Sequence, residues 1–125
     1  METFWPMAVS CIVIPLIMVI FGAIMIKKTP KRNMLFGYRT RRSTASDAAW
    51  DYAQKLAGRI FLRLGLLLLA ATALVFALIY GKSEKTIITA GTVLLYGGLG
   101  LLVLSIIPVE IMLNKKFDKN GNERE

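Results

Sequence analysis

The chain has 125 residues, 55% of them hydrophobic, with a mean hydropathy of +0.56 and a formal net charge of +8. A soluble domain of this length needs less apolar material for its core, and the excess is gathered in three long blocks rather than in alternating strands or one-sided helical stripes. There is no His and only one Cys, which excludes an intrachain disulfide and removes the usual neutral-pH base and the commonest nitrogen ligand for a metal. The expected class is therefore an all-α integral membrane protein with three transmembrane helices, non-enzymatic, with no metal and no cofactor.

The first block runs from about residue 4 to 26 without a charge. It has the roughly 20 residues that crossing about 30 Å of hydrocarbon requires. It is too long for a signal-peptide core, lacks a preceding basic group, and ends on Lys27 and Lys28, so an uncleaved span is expected. Pro6 falls where first-turn amides have no helical partner. Pro15 is central and is read either as ordinary membrane-helix proline or as a kink.

Residues 27–59 are the polar part of the chain. Met34, Leu35, Phe36, Gly37 and Tyr38 form an amphipathic patch suited to the headgroup boundary, and Arg39, Thr40, Arg41, Arg42 and Ser43 return the chain to water or phosphate. Ser46 is a fitting N-cap and Asp47 a fitting first-turn acid for a short interfacial helix. Trp50, Ala53 and Ala57 share one face, and Asp51 and Lys55 are an acid–base pair four residues apart. This helix either turns into the second span or continues as it.

The second span is expected over about 60–80, with Arg59 and Arg63 four residues apart at its entry, where both can reach headgroups. Ala73, Ala77 and Gly81 have the small-x-x-x-small spacing that permits close helix approach. A five-residue turn from Gly81 to Lys85 leads to the third span, about 86–108, thinned by Gly91, Gly97, Gly98 and Gly100. Pro108 and Glu110 mark its exit. Residues 110–125 read as a short solvated tail, in which Asp118, Asn120 and Gly121 resemble only a fragment of a calcium loop.

Basic residues assign a direction. Lys27, Lys28, Lys31, Arg32, Arg39, Arg41, Arg42, Lys55 and Arg59 lie between the first two spans, and Lys115, Lys116, Lys119 and Arg124 lie in the tail. Only Lys82 and Lys85 lie in the second turn, and none precedes the first span. The positive-inside rule then places the N-terminus outside and the long loop and C-terminus inside. Membrane lipids with anionic headgroups explain the basic charge more directly than nucleic acid, for which no recognition element is visible.

Insertion alone leaves Gly37, Tyr38, Arg39, Thr40, Ser43, Trp50, Gly58 and Gly65 unexplained. On residue chemistry, Gly37 permits a turn, Tyr38 and Trp50 are interface anchors, and Arg39 can pair with a phosphate or with Asp47 or Asp51. The run Gly37-Tyr38-Arg39-Thr40, then Ser43, Trp50, Ala53 and Gly58, resembles the SdpI family of small bacterial membrane proteins. Arg41 stands where members often have Pro, and Gln54 where Asn is usual. The resemblance implies immunity to, or sensing of, a membrane-active toxin peptide in the bacterial cytoplasmic membrane, and a cytoplasmic regulator as a further partner at the inner loop. Ligand or partner contact is then expected at Gly37, Tyr38, Arg39, Thr40, Ser43, Trp50, Asp51 and Gln54, and headgroup contact at Arg41, Arg42, Arg59 and Arg63. The alternatives are a homo-oligomeric lipid-binding or small-solute transport component, and a membrane enzyme, for which Ser43, Asp47 and Asp51 supply no activated nucleophile.

Overall fold

Three apolar stretches, each wider than a soluble helix needs, form the frame of the computed structural model, which describes residues 2–33 and 37–124. Helix α1 spans Phe4–Lys27 and α2 spans Asp47–Ile79; α3 spans Glu84–Leu104 and α4 spans Ile106–Lys116. The α3–α4 pair runs on almost as one rod, so three membrane-length helical segments result. Met34, Leu35 and Phe36, the first part of the expected amphipathic patch, lie outside the described residues.

Each boundary has a local cause. Ser46 is extended and its Oγ accepts the Ala49 N–H at 3.0 Å, starting α2 with Asp47 in its first turn. Ser83 starts α3 in the same way, accepting from Thr86 N–H. The break at Ser105 falls three residues before Pro108, whose ring nitrogen has no hydrogen to give the Leu104 carbonyl. Helix α1 passes through Pro15 without ending.

The expected short interfacial helix is not a separate element. Residues 47–59 are the first turns of α2 itself, because nothing between Asp47 and Ile79 breaks the helix. At 1.5 Å per residue a helix of this length is roughly 50 Å long, about 20 Å more than the hydrocarbon needs. The polar N-terminal part of α2 therefore projects beyond the apolar zone, as α4 does beside it.

Packing fixes the topology. A Cβ on Gly22 of α1 would lie 2.5 Å from the Gly58 carbonyl oxygen of α2, and one on Gly65 would lie 3.0 Å from the Pro15 carbonyl oxygen. These close approaches, with Phe4 edge-on to Phe76 at 5.6 Å, make α1 and α2 antiparallel. Gly91 of α3 faces Met7 and Gly98 faces Leu68, so α3 runs parallel to α1 and antiparallel to α2. The close-packing stripe of α2 is thus Gly58 and Gly65. Ala73, Ala77 and Gly81, expected in that role, are exposed, because the buried face of the far half of α2 carries Thr72 and Phe76 instead.

The buried side chains form two clusters. One, at the N-terminal end of α1, contains Phe4, Ala8, Cys11, Phe76 and Ile87. The other, at the basic end, contains Met18, Tyr38, Ala49, Ala53, Ala57, Phe61, Val109, Leu113 and Phe117. Between them the outer faces of the helices carry exposed Leu66, Leu67, Leu74, Leu78, Val93 and Val103, a surface that only an apolar solvent tolerates.

Residues 114–124 fold back on the bundle, with Phe117 and Gly121 buried and most of their neighbours exposed. Helix α4 runs to Lys116, and Phe117 is buried against the Tyr52 ring, with centroids 5.8 Å apart. The chain then turns back. Arg124 Nε donates to the Asn114 and Phe117 carbonyls at 2.7 and 3.1 Å, closing the carbonyl end of α4.

Candidate functional site

The loop between α1 and α2 is fastened to the basic end of the bundle by its own peptide groups. Gln54, fully buried on α2, reads the Tyr38 peptide from both sides: its Oε1 accepts the Tyr38 N–H at 2.7 Å and its Nε2 donates to the Tyr38 carbonyl at 2.6 Å. The same carbonyl accepts Ser43 Oγ–H at 3.2 Å. A planar amide facing a peptide edge in this way satisfies two buried backbone groups with one side chain. Gly37 is required beside it. Its φ is +114°, and a Cβ would stand 2.8 Å from Gln54 Oε1 and 3.1 Å from the Trp50 ring.

Ser43, also fully buried, holds the next turn. Its Oγ accepts the Thr40 N–H at 2.7 Å and lies 3.0 Å from the Thr40 carbonyl, while Thr44 Oγ1 donates to that carbonyl at 2.9 Å. Trp50 is 2% exposed and its indole N–H donates to the Pro30 carbonyl at 2.8 Å. It pins the chain leaving α1 against α2. Tyr38 and Trp50 are therefore interior clamps and not the expected interface anchors.

The carboxylate of the site comes from the third segment. Glu110 Oε2 accepts the Tyr38 hydroxyl at 2.6 Å and the Thr40 hydroxyl at 2.9 Å, joining the loop to α4. Burial, and then the adjacent Glu110 charge, raise the Tyr38 phenol above its ordinary pKa, so it stays a donor. Glu110 was legible only as the exit of a span. Its signal was being the lone carboxylate between Thr86 and Phe117, a position where charge is rarely idle.

The expected acidic partners of Arg39 are engaged elsewhere. Asp47 pairs with Arg32 at 3.2 Å and Asp51 with Lys55 at 3.1 Å, both at exposed sites. Arg39 itself is exposed and has no partner among the described residues, as is true of Arg41, Arg59 and Arg63. Arg42 is half-buried, and its Nη1 is shielded from solvent with no hydrogen-bond partner. Of the expected contact residues, the structure thus gathers Gly37, Tyr38, Thr40, Ser43, Trp50 and Gln54 into one clamp. It leaves Arg39 and Asp51 on the surface.

The C-terminal turn completes this end. Asp118 Oδ1 accepts the Asn120 and Asn122 N–H groups at 2.9 and 3.0 Å, and these backbone bonds hold its carboxyl below the usual carboxylate range. The fragment that resembled a calcium loop is thus a hydrogen-bonded turn, and no cluster of acidic or sulfur ligands is found among the described residues. Gly121, at φ +82°, approaches so closely that its carbonyl accepts Ser46 Oγ–H at 2.6 Å.

Fold and site together define a small multi-pass membrane protein in which the loop after the first span, the head of α2 and the end of α4 are locked into one polar cap. Residues 29–113 match the model of the SdpI/YfhL protein family, and the chain belongs to that bacterial family. It is a small multi-pass membrane protein of this kind. Neither the curated proteins nor the solved structures contain a match.

Proposed function

We propose that the chain gives immunity to, or senses, a membrane-active toxin peptide, acting from the cytoplasmic membrane with its N-terminus outside and its polar cap inside. The observation that carries this reading is that the family match, 29–113, takes in the whole clamp built on Tyr38, Ser43, Trp50, Gln54 and Glu110. The clamp holds a rigid loop that presents Arg39 and Arg41 outward, unpaired. Two guanidinium groups on a fixed backbone suit an acidic segment of a toxin or of a cytoplasmic regulator. Arg59 and Arg63, on one face of α2, meet anionic headgroups at the inner leaflet.

The test is survival of cells producing the protein or its Arg39→Ala form at matched levels, challenged with a panel of membrane-active peptides while membrane potential is followed. Selective rescue by the parent and its loss in Arg39→Ala support the reading. Equal survival of the two overturns the role of Arg39, and absence of rescue against every peptide overturns the immunity arm.

A further inference from the structure

The polar cap carries a half-open cavity of about 560 Å³, lined by Arg41, Arg42, Glu110, Lys119 and Asn120. Its walls come from three parts of the chain, each fixed independently. The turn bearing Arg41 and Arg42 is held by Ser43 and Thr44. Glu110 is held on α4 by its bonds to Tyr38 and Thr40, and the turn bearing Lys119 and Asn120 is held by Asp118 and docked on Ser46.

Charge in this cavity is unbalanced. Three cationic side chains face it with one carboxylate, and none of the four is in an ion pair among the described residues. Arg42 lines the cavity, and its Nη1, itself shielded from solvent, has no hydrogen-bond partner among the described residues, so that nitrogen does not tie the guanidinium into the protein. Glu110 spends only Oε2 on the hydroxyls of Tyr38 and Thr40, leaving Oε1 able to accept another hydrogen.

We infer that this cavity binds a phosphate ester carrying a neighbouring hydroxyl or ammonium donor. The phosphate oxygens take the hydrogens of Arg42, Arg41 and Lys119, for which the planar guanidinium is well shaped. The hydroxyl or ammonium donates to Glu110 Oε1. A quaternary ammonium has no hydrogen to give that oxygen, so a choline ester is disfavoured. This goes beyond diffuse attraction of basic residues to a leaflet, because it requires Lys119, Asn120 and Glu110, residues far from the motif loop in sequence. It stands independently of the immunity reading.

The chemistry is shared by a lipid headgroup and a soluble phosphate ester, and two arms separate them. The full chain in detergent is offered an equimolar mixture of phosphatidylglycerol, phosphatidylethanolamine and phosphatidylcholine, and retained lipid is read by native mass spectrometry. Separately, binding of glycerol 3-phosphate and of methyl phosphate, an ester with no neighbouring donor, is measured by calorimetry. Retention of the glycerol or ethanolamine lipid identifies a headgroup; binding of glycerol 3-phosphate without lipid retention identifies a soluble ester. In whichever arm binds, Arg42→Gln and Lys119→Gln each weaken binding about ten-fold or more, while Lys82→Gln, at the opposite end, does not. Glu110→Gln acts in the other direction: it tightens methyl phosphate and erodes the preference for glycerol 3-phosphate, a gain that misfolding cannot produce. Binding equal in Arg42→Gln and Lys82→Gln, equal retention of all three lipids, or binding in neither arm would each overturn the inference.

Discussion

Replacing Gln54 with Ala should open the polar cap, and the bonds of this one side chain set the size of the effect. Its removal orphans the buried Tyr38 N–H, which has no other acceptor among the described residues, at about 1–3 kcal/mol. The Tyr38 carbonyl fares better. It keeps Ser43 Oγ–H at 3.2 Å and loses the stronger donor at 2.6 Å, a net cost of about 0.5–1.5 kcal/mol. The void left by the shortened side chain adds roughly 1–2 kcal/mol, and the better helix propensity of Ala returns a few tenths. The sum is about 2–6 kcal/mol, or a fall in Tm on the order of 10 °C or more. Graded SDS unfolding measures the free energy, and amide exchange at Tyr38 reports the local opening. Gln54→Glu separates hydrogen bonding from volume. Its carboxylate can accept the Tyr38 N–H but cannot donate to the carbonyl unless protonated, so its folded pKa is raised above the ordinary value of about 4.3. The stability of that variant is then full below this ordinary pKa and lost as pH rises through the folded one. The reasoning fails if Gln54→Ala costs less than about 1 kcal/mol with Tyr38 exchange unchanged, or if Gln54→Glu is indifferent to pH across that window.

Gly22→Ala drives a Cβ to 2.5 Å from the Gly58 carbonyl oxygen, so α1 and α2 must separate, at about 1–3 kcal/mol or more. Gly97→Ala meets nothing within 4 Å and is expected to be neutral or stabilising by up to about 1 kcal/mol; paired thermal melts in one detergent check the contrast. Tyr38 holds its proton more tightly when folded than unfolded, so its contribution is complete below the ordinary tyrosine pKa of about 10 and is lost as pH rises through the higher folded value. Tyr38→Phe should therefore be less stable than the parent at neutral pH but lose less stability on going to alkaline pH, as read by unfolding midpoints on both sides of pH ~10.

Much of the frame was legible because its causes are local. The charge-free run from Phe4, the Lys27–Lys28 stop and the Ser46 cap act within a turn or two of the residues concerned, and α1 spans Phe4–Lys27 while α2 starts after Ser46. Which face of a span is buried was not legible. In hydrocarbon the outer face is as apolar as the inner, so exposed Leu66 and Leu74 look like buried Phe61 and Phe76. Only small residues discriminate, and of two small-residue spacings in α2 the one at Gly58 and Gly65 has a partner in α1. Residue types alone bring Tyr38, Ser43 and Gln54 together, but they point Trp50 to the interface and offer Asp47 or Asp51 of α2 as the carboxylate. Glu110 is 72 residues from Tyr38, and no periodicity spans such a distance. Beyond Glu110 the charged residues are mostly solvated, while Phe117, Leu113 and Gly121 between them are what dock.

The division of labour within the cap follows from this geometry. Residues directed inward, namely Gln54, Ser43, Trp50 and Tyr38, bond mostly to backbone, so they set where the loop lies and not what it recognises. Those directed outward without a protein partner are almost all cationic. A substitution in the first group moves Arg39, Arg41 and Arg42 together, because the backbone carrying them runs between Tyr38 and Ser43. Loss of protection in a clamp variant therefore says little about recognition, whereas loss in an arginine variant with an intact clamp says a great deal. Protection assays on this chain carry meaning only when Tyr38 amide exchange is measured alongside them, so that a displaced loop is distinguished from a missing charge.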